Sequence, residues 1–181
     1  MAKLVSQVYG EALFGLARDG GRLEQFSEEL EAVERILDQN PDYRALLEHP
    51  QLDEPEKLDV FDRVFQGRIC GELTGFFHIL LKKGRFRDFR AIRAWFVQKR
   101  LEHDRIGVAY VTSAVALTGE QKRKIEDRLL ATTDFVSMQM HFETDPELIG
   151  GLKIRIDDRV VDSSIQSRLN DLKDRLMKIQ L

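Results

Sequence analysis

The sequence is poor in everything that would staple, break or hide a chain. It has one cysteine, Cys70, among 181 residues, so no intrachain disulfide forms and no cysteine cluster can build a structural zinc site. A single unbridged thiol fits a reducing compartment. With 4 prolines and 12 glycines the chain is neither collagen-like nor low-complexity, and 43% hydrophobic residues exclude disorder. No apolar run approaches the ~20 residues that span a bilayer. The longest, Phe76-Phe77-His78-Ile79-Leu80-Leu81, stops at Lys82-Lys83. No targeting segment is expected, because Leu4-Val5-Ser6-Gln7-Val8-Tyr9 already reads as an amphipathic helix.

What charge there is lies unevenly. Residues 1–81 carry 8 basic and 16 acidic residues, residues 82–104 carry 8 and 3, and residues 105–181 carry 12 of each, for a net charge of -3. The basic run Lys82-Lys83-Gly84-Arg85-Phe86-Arg87-Asp88-Phe89-Arg90 admits two readings. One is a nucleic-acid-binding adaptor that uses segment 82–100. The other is a solvated turn and helix face paired with acidic neighbours. Phe86 and Phe89 stand i, i+3 apart, a core spacing, and the whole chain is acidic, which favours the second.

Residues 1–104 read as helices only. The first, about 3 to 18, is expected to bury Leu4, Val5, Val8, Ala12 and Leu16 and to end near Gly20-Gly21. The second, about 22 to 39, has the stripe Leu23, Phe26, Leu30, Val33 and Leu37. Asn40 is the expected N-cap of a short helix that opens on Pro41 and ends at His49, and Asp53-Glu54-Pro55-Glu56 has the form of a capping box. The fifth helix, about 70 to 83, is apolar round most of its circumference and should be central, and the sixth spans about 86 to 103. Six helices with short connections predict a compact antiparallel bundle.

The period changes near Asp104. Ile106 to Val115 reads as a strand, and Thr118 with Gln121 forms a capping box into a helix of about 119 to 132. Val136 to Glu143 alternates strictly, and the alternation resumes with Leu152, Ile154 and Ile156, which predicts an antiparallel hairpin with one face buried. Asp157-Asp158 turns the chain, and Ser163 with Gln166 caps a last helix striped by Ile165, Leu169, Leu172, Leu176 and Ile179. The expected fold class is therefore mainly α: a six-helix bundle, residues 1–104, then a small α/β module, residues 105–181, ordered strand-helix-strand-strand-helix.

Chemistry is hard to find. His49, His78, His103 and His141 show no metal-ligand spacing, and His78 in the apolar fifth helix reads as a satisfied core or interface histidine. Cys70 has Arg68 nearby and no local histidine, so a small hydrolase built on Cys70 or His78 is a weak reading. Asp157, Asp158 and Asp162 read as turn and helix-start chemistry rather than a cation site, and Gly150-Gly151 as a hairpin end that needs positive φ. No phosphate loop, nucleophile elbow or dinucleotide fingerprint is present, so no catalytic residue, cofactor or metal is predicted. An interaction protein is the expectation.

The stretch Asp145-Pro146-Glu147-Leu148-Ile149-Gly150-Gly151-Leu152-Lys153-Ile154-Arg155-Ile156-Asp157-Asp158-Arg159-Val160-Val161-Asp162-Ser163-Ser164-Ile165 resembles the signature of the F-type ATP synthase delta subunit, whose mitochondrial relative is the oligomycin-sensitivity-conferring protein. Val8-Tyr9-Gly10-Glu11-Ala12-Leu13-Phe14 resembles that family's opening motif, with Gly10 where Ala is usual. Lys83-Gly84-Arg85-Phe86 is similar to its "NGR" turn, with Lys for Asn, and Val111 to Leu117 is similar to a strand end. The four pieces span essentially the whole chain in order.

The resemblance implies a non-catalytic stator component, one copy per complex, that couples proton flow to ATP synthesis. It implies that the bundle holds the N-terminal helix of an alpha subunit and the second module holds the C-terminal end of the b-subunit stalk. It also implies no nucleic-acid partner, and a place on the cytoplasmic face of a bacterial cell membrane reached only through the complex. For alpha it points to the first and fifth helices. The candidates are Tyr9, Ala12, Leu13 and Leu16 on one, and Gly75, Phe76, Ile79 and Lys83 on the other, with Leu13 and Phe76 equally suited to the core. For the stalk the candidates are Leu148, Ile149, Val161 and Ile165, the last better suited to the core.

Overall fold

In a computed structural model of the chain, residues 2–49, 52–170 and 172 are described. The chain divides into two compact units, Met1–Arg100 and Leu101–Leu181. The first unit holds α1 (Ala2–Asp19), α2 (Leu23–Gln39), α3 (Pro41–Glu48), α4 (Glu54–Phe65) and α5 (Gly71–Lys82), then a 3-10 turn (Phe86–Asp88) and α6 (Phe89–His103), whose end runs just past the division. The second holds β1 (Ile106–Ser113), α7 (Gly119–Thr132), β2 (Ser137–Thr144), a 3-10 turn (Pro146–Leu148), β3 (Leu152–Ile156) and β4 (Arg159–Asp162), and residues 165–170 and Leu172 are again helical. The mainly helical reading with a small α/β module holds.

The bundle core is aromatic. Phe77 on α5 is fully buried, with ring centroids 5.1 Å from both Phe61 and Phe89. Around it pack Phe26, Leu30, Val33 and Leu37 of α2, the expected stripe, together with Leu73, Leu80, Ile92 and Phe96. Phe86 and Phe89 are buried as their spacing predicts. Two caps differ from expectation. The Asn40 side chain donates backwards, to Ile36 O at 2.8 Å, and closes α2 instead of opening α3. Asp53 occupies the N-cap of α4 without a side-chain cap bond. Thr118 and Gln121 do form the reciprocal capping box at α7.

The sheet order is β2-β1-β3-β4. β1 pairs parallel with β2, joined by the α7 crossover, and antiparallel with β3, while β3 pairs antiparallel with β4. The expected β2–β3 hairpin is therefore corrected: β1 lies between the two. Alternation in a strand reports which face is buried, not which strand is the neighbour. The connection passes the end of β1, where Asp145 N donates to Ser113 O at 2.8 Å. A fourth strand follows the Asp157 turn, where φ is +49°. Its Val160-Val161 pair carries too little sequence pattern to announce a strand ahead of the last helix.

One sheet face gathers Ala109 and Val111, Met138, Met140 and Phe142, and Leu152, Ile154 and Ile156, with Val161 in register beside Ile154. The other face is polar. There Tyr110 stacks on His141 at 4.8 Å and carries the Arg155 guanidinium at 4.6 Å.

Candidate partner-binding surfaces

The first surface comes from a correction to α1. Its buried positions are Ser6, Gly10, Leu13 and Ala17, and Leu4, Val8, Ala12 and Leu16 are exposed. Hydropathy alone puts the apolar stripe inside. The structure buries the small residues instead, because α6 comes close. A Cβ on Gly10 would stand 2.5 Å from the Trp95 ring, so only glycine permits this approach. The stripe through Leu4, Val8 and Leu16 is thus left without an internal partner, at 67%, 57% and 45% exposure.

α5 lies beside it. Tyr9 meets Phe76 edge-on at 6.5 Å, and Arg22, just after α1, bridges Glu72 near the start of α5 at 2.5 Å. The two helices therefore run antiparallel. On α5, Glu72, Gly75, Ile79 and Lys83 follow one another at helical spacing beside Phe76. Ile79 is 50% exposed, and a Cβ on Gly75 would touch nothing within 4 Å. Across these two helices Tyr9 meets Phe76, Ala12, Leu16 and Ile79 are exposed, and Gly75 has open space beside it. Leu13 and Phe76, at 1% and 9% exposure, belong to the core and offer a partner at most an edge.

The second surface lies on the sheet. α7 has no buried residue, so the apolar face over β3 and β4 is left open. A groove of about 880 Å³ runs there, lined by Ile125 and Leu129 of α7 and by Leu152, Ile154, Ile156 and Val161. A second hollow of about 420 Å³ shares Ile125 and Leu152 with it and adds Val115, Leu117 and Ile149. Of the candidate stalk residues, Ile149, Val161 and Ile165 are exposed, whereas Leu148 is buried at 6% and anchors its own turn. The signature glycines have separate jobs. Gly151 takes φ +85° and leaves room for Ser163 O, while Gly150 gives its side to the Ile165 side chain. Ile149 also adopts positive φ, which the sequence suggests for the glycines alone. The last helix is capped by Ser164, not Ser163: Ser164 Oγ accepts from Ser167 N at 3.2 Å, and Ser163 Oγ instead donates to Leu152 O at 2.9 Å. The expected stripe residues Leu176 and Ile179 lie outside the described residues.

Three of the candidate chemical groups have a structural role or setting that accounts for them. His78 Nε2 meets Asp62 Oδ1 at 2.7 Å, a satisfied half-buried pair. Burial pushes the Cys70 thiol above its ordinary range, the opposite of what a nucleophile needs. Asp162 accepts from Ser164 N at 2.9 Å and from Ser167 Oγ at 2.8 Å, and these bonds hold its carboxyl below the usual range. The arginines of the basic segment pair with acidic groups both locally, Arg85 with Asp88 at 3.7 Å, and across helices. Arg90 and Arg93 pair with Glu34 of α2, Arg90 also with Asp38, and Arg87 reaches Glu48 of α3.

A family model, ATP synthase delta (OSCP) subunit, matches residues 5–176. The chain belongs to this family. It is 46% identical over 181 residues, all of both chains, to an ATP synthase subunit delta of Lachnoclostridium phytofermentans. It is 34% identical to that of Moorella thermoacetica, covering 96% of this chain and 97% of the relative. A chain of the Toxoplasma gondii mitochondrial ATP synthase hexamer shares the fold, with TM-score 0.67 over 95% of this chain and 97% of that one at 19% identity. Membership of the delta (OSCP) family makes this a stator subunit of an ATP synthase. Among the described residues no helix is long and apolar enough to cross a membrane.

Proposed function

We propose that the chain joins two partners and performs no chemistry of its own. The apolar surface shared by α1 and α5 forms the groove for the N-terminal helix of an ATP synthase alpha subunit, and the open sheet face of the second unit takes the C-terminal end of the b-subunit stalk. One copy sits in each complex, on the cytoplasmic face of a bacterial cell membrane, and reaches the membrane only through its partners. The linkage holds the catalytic head against rotor torque, so that proton flow is coupled to ATP synthesis.

The observation that carries this reading is the apolar stripe Leu4, Val8 and Leu16 of α1 facing solvent, with Ile79 of α5 also exposed. An amphipathic helix laid between two helices is the partner such a groove fits. Lys82 and Lys83 at one end favour an acidic residue on that helix. On the second unit, Ile149, Val161 and Ile165 offer the apolar contact for the stalk. The neutralised arginines of the basic segment argue against a nucleic-acid partner.

The test is a pair of titrations on the full chain and on a chain lacking residues 145–181. Both should bind an alpha N-terminal peptide, and only the full chain should bind a fragment from the C-terminal end of the b stalk. Retained stalk binding by the truncated chain places that contact elsewhere.

A further inference from the structure

The charges around the sheet groove of the second unit are sorted by sign. Ile125 and Leu129 line it from α7. Beside them on the same helix, Arg128 lines the groove and Lys124 lines the hollow that adjoins it, and both are exposed. The two cations stand four residues apart, so they share one flank of α7, and like charges at that spacing destabilise a helix. Among the described residues neither takes part in an ion pair. The arginines of the bundle are treated differently: Arg90 and Arg93 both find Glu34. The acidic residues of α7 itself, Glu120, Glu126 and Asp127, line neither the groove nor the hollow. The remaining charges collect at the far end, by the start of β1 and the β3–β4 turn, where Glu102, Asp134, Asp157 and Asp158 stand with Arg105 and Arg159. That end mixes both signs, and the α7 flank is basic only.

We infer that this groove selects an amphipathic helix with carboxylates along one flank, and that Lys124 and Arg128 are the residues that make the selection. The apolar stripe of such a helix lies on Ile125, Leu129 and Ile154. Two acidic side chains one turn apart on its flank reach Lys124 and Arg128 and turn their mutual repulsion into two attractions. Opposite charges at the rim of an apolar contact set which partner docks, and in which register, more than they set raw affinity. The inference deepens the stalk docking proposed for this face and rests on it: the C-terminal end of the b stalk presents the acidic flank.

The test is a calorimetric titration of the full chain with a C-terminal b fragment, beside a thermal melt of each variant. Lys124→Glu places a carboxylate four residues before Arg128, the order that favours a helix. Its melt should be no lower than that of wild type, while the fragment binds about tenfold more weakly. A merely structural role for Lys124 would move melt and affinity together, and that result overturns the inference. Raising the salt from about 50 to about 500 mM should weaken the wild-type complex, because exposed pairs are screened. Lys124→Gln/Arg128→Gln should bind more weakly at low salt and lose most of that salt dependence. Arg123→Gln removes a cation on the side of α7 opposite Ile125 and should change neither affinity nor salt dependence. An equal loss in Arg123→Gln would make net charge the cause and overturns the inference. So does binding that is indifferent to salt and to both groove variants, which leaves stalk docking itself standing. A fragment that fails to bind wild type contradicts the docking function, and the inference falls with it.

Discussion

In residues 1–100 one cluster runs unbroken from Leu13 to Phe96, with Phe26, Phe61, Phe65 and Phe77 fully enclosed. In residues 101–181 the buried hydrophobic residues among those described are Ala109, Val111, Met138 and Leu148, and α7 buries nothing. The bundle has finished its core and still has apolar surface left on α1 and α5. The sheet has not finished its core. The difference separates two kinds of docking. A partner on the bundle adds to a body that is already stable. A partner on the sheet completes one that is not.

The largest expected effect breaks the finished half. Phe77 touches Phe61, Phe76, Phe86 and Phe89, so Phe77→Ala should cost about 3–5 kcal/mol and melt the bundle in a thermal scan. If the bundle melts as in wild type, its core is not where the structure puts it.

The next prediction separates the halves. A fragment of residues 1–104 should fold with a cooperative melt, because its core is complete. A fragment of residues 105–181 should melt broadly or not at all, being small and half covered. A cooperative second fragment with an unstable first would reverse the comparison.

A smaller effect sets two glycines against each other. Gly10→Ala gains roughly 1 kcal/mol of helix propensity but drives a Cβ into Trp95, and overpacking of about 1–3 kcal/mol should leave it less stable. Gly75→Ala meets open space and should stabilise by about 0.5–1 kcal/mol, while weakening alpha-peptide binding if another helix backbone rests there. Equal shifts in the two melts would contradict the α1 register.

The smallest effect is a pH dependence in the second unit. The Asp162 carboxyl is held below its ordinary range, chiefly by the Ser164 backbone N–H. A depressed folded-state value means that stability is present above the unfolded carboxylate pKa and lost as pH falls through the folded one. The group is exposed, so the change is modest. Asp162→Asn should flatten the acid limb of a stability–pH curve for this unit, and an unaltered limb would remove Asp162 from the cap.

Much of this was legible in the sequence. The α2 stripe, the Thr118 box and the core role of Phe86 and Phe89 follow from spacing, because period and caps are local properties. α1 was not legible in the same way. Ser6, Gly10 and Ala17 look like a surface and Leu4, Val8 and Leu16 like a core, and the register is settled by Trp95, 85 positions beyond Gly10. The β2–β3 hairpin failed for a related reason, since Met138, Met140 and Phe142 declare a face but not a neighbour. β4 escaped notice because its four residues, Arg159–Asp162, are too short to show a period. At the binding surfaces, exposure of Ile79 and burial of Leu148 depend on packing that the residues themselves do not announce.

The central claim is that the α1–α5 groove is a docking site and not a piece of core. Ile79→Asp tests it most directly, by calorimetric titration of an alpha N-terminal peptide beside a thermal melt of the same protein. A carboxylate on this half-exposed position should leave the melt within about 0.5 kcal/mol of wild type and weaken the peptide by about 2–4 kcal/mol, because the charge enters a desolvated interface. A melted bundle would show that Ile79 is core, and an unchanged fold with unchanged affinity would show that the alpha helix docks elsewhere.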